Sequence, residues 1–276
     1  MTTFQAVVYA LVHGWSEFFP ISSQAHHALL ADLTGWQPPS GALMTALLLG
    51  SALSLLIYFR HDWASMISSV LQVVIFRKKP MTLDERIPLF VGLTILPLLA
   101  ASFYFGPAVQ AVEWTPWRIC AVLGGTALPL WFFDYWGRKT KGFYDWNVFD
   151  ALAVGVTLST ALVPGWDRLS GLLLGTFLLN YKREAALKYA YFVLFPILAS
   201  QAGVGLHQLN FHAPQPMADL SWMSFFVAMI VSCLMGLLVI GGAMKHISQK
   251  GLGQLMGYRI FLVLGVLGFL WYRSGL

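Results

Sequence analysis

The sequence predicts an all-α polytopic membrane protein, with six transmembrane helices plus two re-entrant helical hairpins in an inverted-topology repeat. Three observations carry this expectation. Hydrophobic residues make up 58% of the 276 and charged residues only 11%, whereas a soluble domain carries about 25% charged residues. Six apolar runs approach or exceed the ~20 residues that a helical span requires. Two further apolar regions are each interrupted by a proline and a cluster of ionisable side chains. This composition excludes a soluble globular enzyme, a disordered chain and a nucleic-acid-binding module. The net charge of +5 reads as membrane topology instead.

Residues 4–34 form the first hairpin: a short apolar helix, the turn Glu17-Phe18-Phe19-Pro20-Ile21-Ser22-Ser23-Gln24-Ala25-His26, and a second short helix. Neither arm spans a bilayer alone, and irregular backbone at membrane depth is tolerated only inside protein or beside water. The competing reading is an ordinary span kinked by proline. Spans follow at 41–59, 87–106 and 117–136. The second hairpin occupies 147–181, around Pro164-Gly165-Trp166-Asp167-Arg168-Leu169-Ser170-Gly171, and spans follow at 186–205, 222–244 and 255–273. These runs are too long and too continuously apolar for barrel strands.

The chain reads as one membrane domain, 1–276, with repeat halves of about 1–140 and 145–276. Pro20 and Pro164 lie 144 residues apart. The string Trp117-Arg118-Ile119-Cys120-Ala121-Val122-Leu123-Gly124 recurs as Tyr258-Arg259-Ile260-Phe261-Leu262-Val263-Leu264-Gly265, identical at five of eight positions. Three spans per half is an odd number, so the halves are expected to be inverted, with a site where the two breaks meet. Lys and Arg collect in 60–86 (including Lys78 and Lys79), in 137–146, and near 182–188 and 245–250, whereas loops 107–116 and 206–221 contain none. Basic loops stay cytoplasmic. Both termini are therefore expected outside, with the first hairpin dipping from the outer face and the second from the inner face. His207 and His212 are expected in a solvated outer loop. No cleaved signal peptide is expected. Cys120 and Cys233 sit singly in apolar runs and suggest neither a disulfide framework nor a zinc site.

Intramembrane ionisable residues are costly and mark function by default. His13 and Glu17 are four residues apart on one helical face, and Ser22 and Ser23 stand within reach of His26. Ser22 and Ser23 begin the second short helix, where free backbone N–H groups bind anions. Arg168 begins the facing short helix, and its guanidinium suits phosphate. The set is an anion site with a nucleophile and a general base. Plainer readings stand beside it: Ser22 and Ser23 as simple caps, Glu17 as the partner of Arg168, Asp167 as the neutraliser of Arg168, and His27 facing elsewhere.

These residues resemble the bacterial undecaprenyl-pyrophosphate phosphatases, the bacitracin-resistance family. Their first motif, Glu-Gly-x-x-Glu-Phe-Leu-Pro-x-Ser-Ser-x-Gly-His, is similar to His13-Gly14-Trp15-Ser16-Glu17-Phe18-Phe19-Pro20-Ile21-Ser22-Ser23-Gln24-Ala25-His26. Their second, Pro-Gly-x-Ser-Arg-Ser-Gly, is similar to Pro164-Gly165-Trp166-Asp167-Arg168-Leu169-Ser170. The chain departs from the pattern at His13, Ala25, Asp167 and Leu169. The resemblance implies a hydrolase of the inner membrane, multi-pass, with its site on the outer, periplasmic side. It would convert undecaprenyl (polyprenyl) pyrophosphate to the monophosphate and phosphate, recycling the lipid carrier of cell-wall synthesis. It implies Ser23, His26 and Glu17 as catalytic residues, and Arg168, Ser22 and Ser170 as phosphate contacts. His13 and Asp167 are accessory candidates. A divalent cation, Mg²⁺ or Ca²⁺, would be held through Glu17, and a homodimer is compatible. The alternative is a transporter or flippase of a phosphorylated polyprenyl carrier with weakened or lost hydrolysis. A small-solute channel fits less well, since no ring of like charge is visible.

Overall fold

The computed structural model describes residues 1–75, 77, 82–211 and 220–274. Among them the chain is helical, with α1 (Thr3–Ser16), α2 (Ser23–Thr34), α3 (Gly41–Tyr58), α4 (Arg60–Ile75), α5 (Leu83–Gln110), α6 (Pro116–Trp136), α7 (Val148–Leu158), α8 (Arg168–Leu178), α9 (Arg183–Phe211), α10 (Trp222–Lys250) and α11 (Gly253–Ser274). The described residues contain no strand, only an isolated bridge between Lys141 and Tyr181. Six helices are long and apolar enough to cross a membrane: Gly41–Tyr58, Glu85–Gln110, Pro116–Trp136, Arg183–Leu209, Trp222–Lys250 and Gly253–Tyr272. They match the six expected spans.

Two stretches expected as loops are partly helical. Segment 60–86 contains α4, a helix between the first two spans. The fourth span continues to Phe211, so His207 stands on a helix rather than in a loop. His212, Lys78 and Lys79 lie outside the described residues.

Local chemistry sets the helix starts. Thr2 and Gln5 form a capping box that opens α1, with the Gln5 N–H donating to Thr2 Oγ1 at 3.2 Å and the Thr2 N–H to Gln5 Oε1 at 2.9 Å. Pro116 opens α6, where its missing N–H is not needed. Internal prolines in α5 and α9 are tolerable in membrane helices, whose neighbours re-satisfy the freed carbonyls.

The packing brings the broken regions to the middle. Helix α1 packs on α10 and α7 on α5; α3 packs on α9, and α6 on α11. Small residues permit the close contacts: a Cβ at Gly14 would lie 2.9 Å from the Ser232 carbonyl oxygen. The Ser232 hydroxyl in turn donates to the Leu47 carbonyl at 3.0 Å, the polar glue expected between helices in lipid.

One end of the molecule collects the charged loops. Asp134 accepts from Arg183 Nε at 2.6 Å, from the Leu252 N–H at 2.8 Å, and through its backbone carbonyl from Lys139. Lys141 pairs with Asp150 at 2.7 Å and Lys188 with Asp62 at 2.8 Å. The Tyr181 hydroxyl also donates to Asp150 at 2.7 Å. Burial and that carboxylate hold its phenol well above the usual range, so it stays a donor.

Candidate active site

Glu17 closes α1 as its C-cap, and Ser22 is the N-cap of α2. Ser22 has φ of 67°, a left-handed conformation for a residue with a side chain, which costs on the order of 1–3 kcal/mol and clusters at functional sites. Two contacts hold it there. The Ala25 N–H donates to its hydroxyl at 3.4 Å, and His26 Nδ1 donates to its carbonyl at 2.8 Å. In the second turn Gly165 has φ of 98°, and a Cβ there would lie 2.8 Å from the Ile119 carbonyl oxygen, so only glycine fits. Asp167 caps α8 by accepting from the Ser170 N–H at 2.7 Å.

The two turns meet. The Ser23 hydroxyl donates to Glu17 Oε2 at 2.7 Å. Arg168 Nη1 reaches Glu17 Oε1 at 3.2 Å, and Arg168 Nη2 donates to Gln201 Oε1 on α9 at 2.6 Å. A polar cleft of about 40 Å³ lies here, lined by Glu17, Ser22, Ser23, Gln24, Asp167 and Arg168 among others. Gln24 also lines a second, apolar groove of about 550 Å³, walled by α2, α6 and α11 through residues such as Ala28, Leu123 and Val263.

His26 faces another way. A backbone carbonyl only accepts, so Nδ1 carries the proton given to Ser22, and Nε2 accepts from the Tyr258 hydroxyl at 2.7 Å. The imidazole therefore meets the Ser22 backbone rather than either serine hydroxyl. His27 stacks on His13, with ring centroids 5.2 Å apart. Both nitrogens of His13 lack a hydrogen-bond partner among the described residues.

Asp167 does not pair with Arg168. Its Oδ2 lies 3.9 Å from Arg259 Nη1. Arg259 is fully buried and donates to the Pro20 carbonyl at 3.3 Å, to Ser170 Oγ at 3.0 Å, and to Thr126 Oγ1. It thus touches both turns and α6. Thr126 is ten residues from either end of α6, about 15 Å from each, so the junction sits level with the middle of that helix. Gln201, Thr126 and the roles of Tyr258 and Arg259 were not among the expected site residues. The recurrence of the Tyr258-Arg259 string was the one sequence signal pointing at them.

The donor set does not suit a resident Mg²⁺ or Ca²⁺, which take six or more oxygens. All four carboxylate oxygens here face protein donors: those of Glu17 meet Arg168 and Ser23, and those of Asp167 meet the Ser170 backbone and hydroxyl. Among the described residues, no group of three or more His, Cys, Asp or Glu is placed to hold a metal ion.

Comparison with known proteins gives the same family throughout. The family model described as bacitracin resistance protein BacA matches residues 6–267. Undecaprenyl-diphosphatase of Moorella thermoacetica is 28% identical over 273 residues, covering 99% of this chain and 100% of the relative. Undecaprenyl-diphosphatase of Thioalkalivibrio sulfidiphilus is 29% identical over 271 residues, covering 98% of this chain and all of the relative. That of Chlorobium chlorochromatii is 26% identical over 279 residues, covering 98% of each.

Proposed function

The chain belongs to the bacitracin resistance protein BacA family, and from that premise we propose that it is a multi-pass membrane hydrolase of undecaprenyl or related polyprenyl pyrophosphates. The observation that carries the reading is a polar cleft holding Ser23, Glu17 and Arg168 that shares Gln24 with a 550 Å³ apolar groove. Such a pair of compartments suits a substrate with a charged head and a hydrocarbon tail.

In the proposed reaction the Ser23 oxygen attacks the terminal phosphorus while Glu17 Oε2, 2.7 Å away, takes its proton. The bond from that phosphorus to the bridging oxygen breaks, and polyprenyl monophosphate leaves. Glu17 passes its proton to the departing monophosphate. Water then attacks the phosphoserine while Glu17 takes one water proton and returns it to the Ser23 oxygen as the O–P bond breaks and phosphate leaves. Phosphoryl transfer depends mainly on positioning and charge stabilisation. Arg168 supplies the charge, and the N-termini of α2 and α8 supply N–H groups. The geometry favours Glu17 over His26 as the base for Ser23. His26 shapes the α2 start and holds Tyr258. Ser22 and Ser170 serve the phosphate less directly, since their hydroxyls already engage the Ala25 N–H and Asp167. No step is assigned to a divalent cation, because the carboxylate oxygens are engaged.

The two broken regions are read as re-entrant hairpins of an inverted repeat, supported by the paired packing of α1 on α10 with α7 on α5. The charge bias supports a site open toward the periplasmic side of the inner membrane. The test is phosphate release from undecaprenyl pyrophosphate by purified protein in detergent. Release lost in Ser23→Ala and Arg168→Ala supports the hydrolase. Arg168-dependent substrate binding without release would favour a carrier.

A further inference from the structure

We propose that Asp167 is a positioning residue of this site: the counter-ion of Arg259, it supplies from the second turn the negative charge that position 13 lacks. The inference rests on the hydrolase reading above. The related motif carries glutamate where this chain has His13, and serine where it has Asp167, so one carboxylate is missing and another is gained.

The structure explains the gain. Arg259 is wholly buried, and a buried unpaired guanidinium is strongly destabilising. Asp167 Oδ2 stands 3.9 Å from Arg259 Nη1. The Ser170 hydroxyl bridges the two, donating to Asp167 at 2.6 Å and accepting from Arg259 at 3.0 Å. Because Arg259 also holds the Pro20 carbonyl, the Asp167–Ser170–Arg259 chain ties the second turn to the first.

The charges form one balanced set. Arg168 has Glu17 and Arg259 has Asp167, while His13, buried on α1 one turn before Glu17, adds a ring in place of a carboxylate. Removing the Asp167 charge leaves Arg259 without its counter-ion and slackens its hold on the Pro20 carbonyl, in the turn that sets Glu17 against Ser23. The Ser23–Glu17 contact is then misaligned, which impairs the chemical step more than substrate binding.

The experiment uses the full-length protein in detergent with farnesyl pyrophosphate as the probe. Asp167→Asn keeps an oxygen to cap α8 and removes the charge together with the acceptor that faces the Ser170 hydroxyl. It is expected to lower kcat by about tenfold or more with KM within about threefold of wild type, and Asp167→Glu to recover most of that loss. His13→Glu in the Asp167→Asn background is expected to restore kcat, although His13→Glu alone lowers it. In thermal melts, Asp167→Asn and Arg259→Gln together should lose less than the sum of the two singles. An Asp167→Asn enzyme with wild-type kcat overturns the proposal, as does a double variant whose melting losses simply add. If Asp167→Asn does not fold, the Asp167→Asn/Arg259→Gln variant decides: recovered folding supports the pair, and continued failure overturns it. A wild-type protein that releases no phosphate, with the melts still coupled, sinks the hydrolase reading and leaves the ion pair standing.

Discussion

The turn between α1 and α2 brings a hydroxyl and a carboxylate to the cleft, Ser23 and Glu17, whereas the turn between α7 and α8 brings a guanidinium and a capped helix start. Both turns contain a proline and lead into a short helix. They differ in the capping group: Ser22 caps α2 with a neutral hydroxyl, and Asp167 caps α8 with a charge. The arginines of the recurring string diverge as well. Arg118 is exposed, donates to the Glu113 carbonyl at 2.6 Å and lies over the Trp117 ring. Arg259 is buried at the junction of both turns. Similar sequence has become a surface anchor in one half and an internal tie in the other, so the site is asymmetric although its parts recur.

The largest effect should come from the first turn. Ser23→Ala should lower phosphate release by about 10³-fold or more if that turn carries the nucleophile, and near-normal turnover would break the division of labour. The second turn is probed by Arg168→Ala, expected to cost about 10²–10³ in kcat; a change confined to KM would reduce Arg168 to a tether. Stability separates the two arginines. Arg259→Ala leaves Asp167 unpaired at depth and should destabilise by about 3–5 kcal/mol, read as a melting shift in detergent. Arg118→Ala, the smallest effect, should stay within about 0.5 kcal/mol of wild type. Equal losses at the two positions would dissolve the comparison.

Most of the architecture was legible because lipid imposes a simple rule. Six continuous apolar runs could only be helices, and each appears within six residues of its expected bounds. Helix α4 was hidden because its polar and basic start reads like a loop. In the site, the closeness of Glu17, Ser23 and Arg168 followed from the motifs. The partners of His26 and Asp167 did not. Both depend on Tyr258 and Arg259, which approach from α11, 232 residues beyond His26 and 89 beyond Ser170. No local periodicity encodes such a contact. Asp167 looked like the neighbour of Arg168 in sequence, but the α8 cap turns its carboxylate toward Ser170 and Arg259.

Arg259 donates to Pro20, 239 residues earlier in the chain. During synthesis, then, the first turn enters the membrane long before its tie exists. Glu17 must wait at depth until α8 delivers Arg168, and Asp167 must wait until α11 delivers Arg259. The centre therefore stays open until α11 docks, and that one packing step ties both turns together.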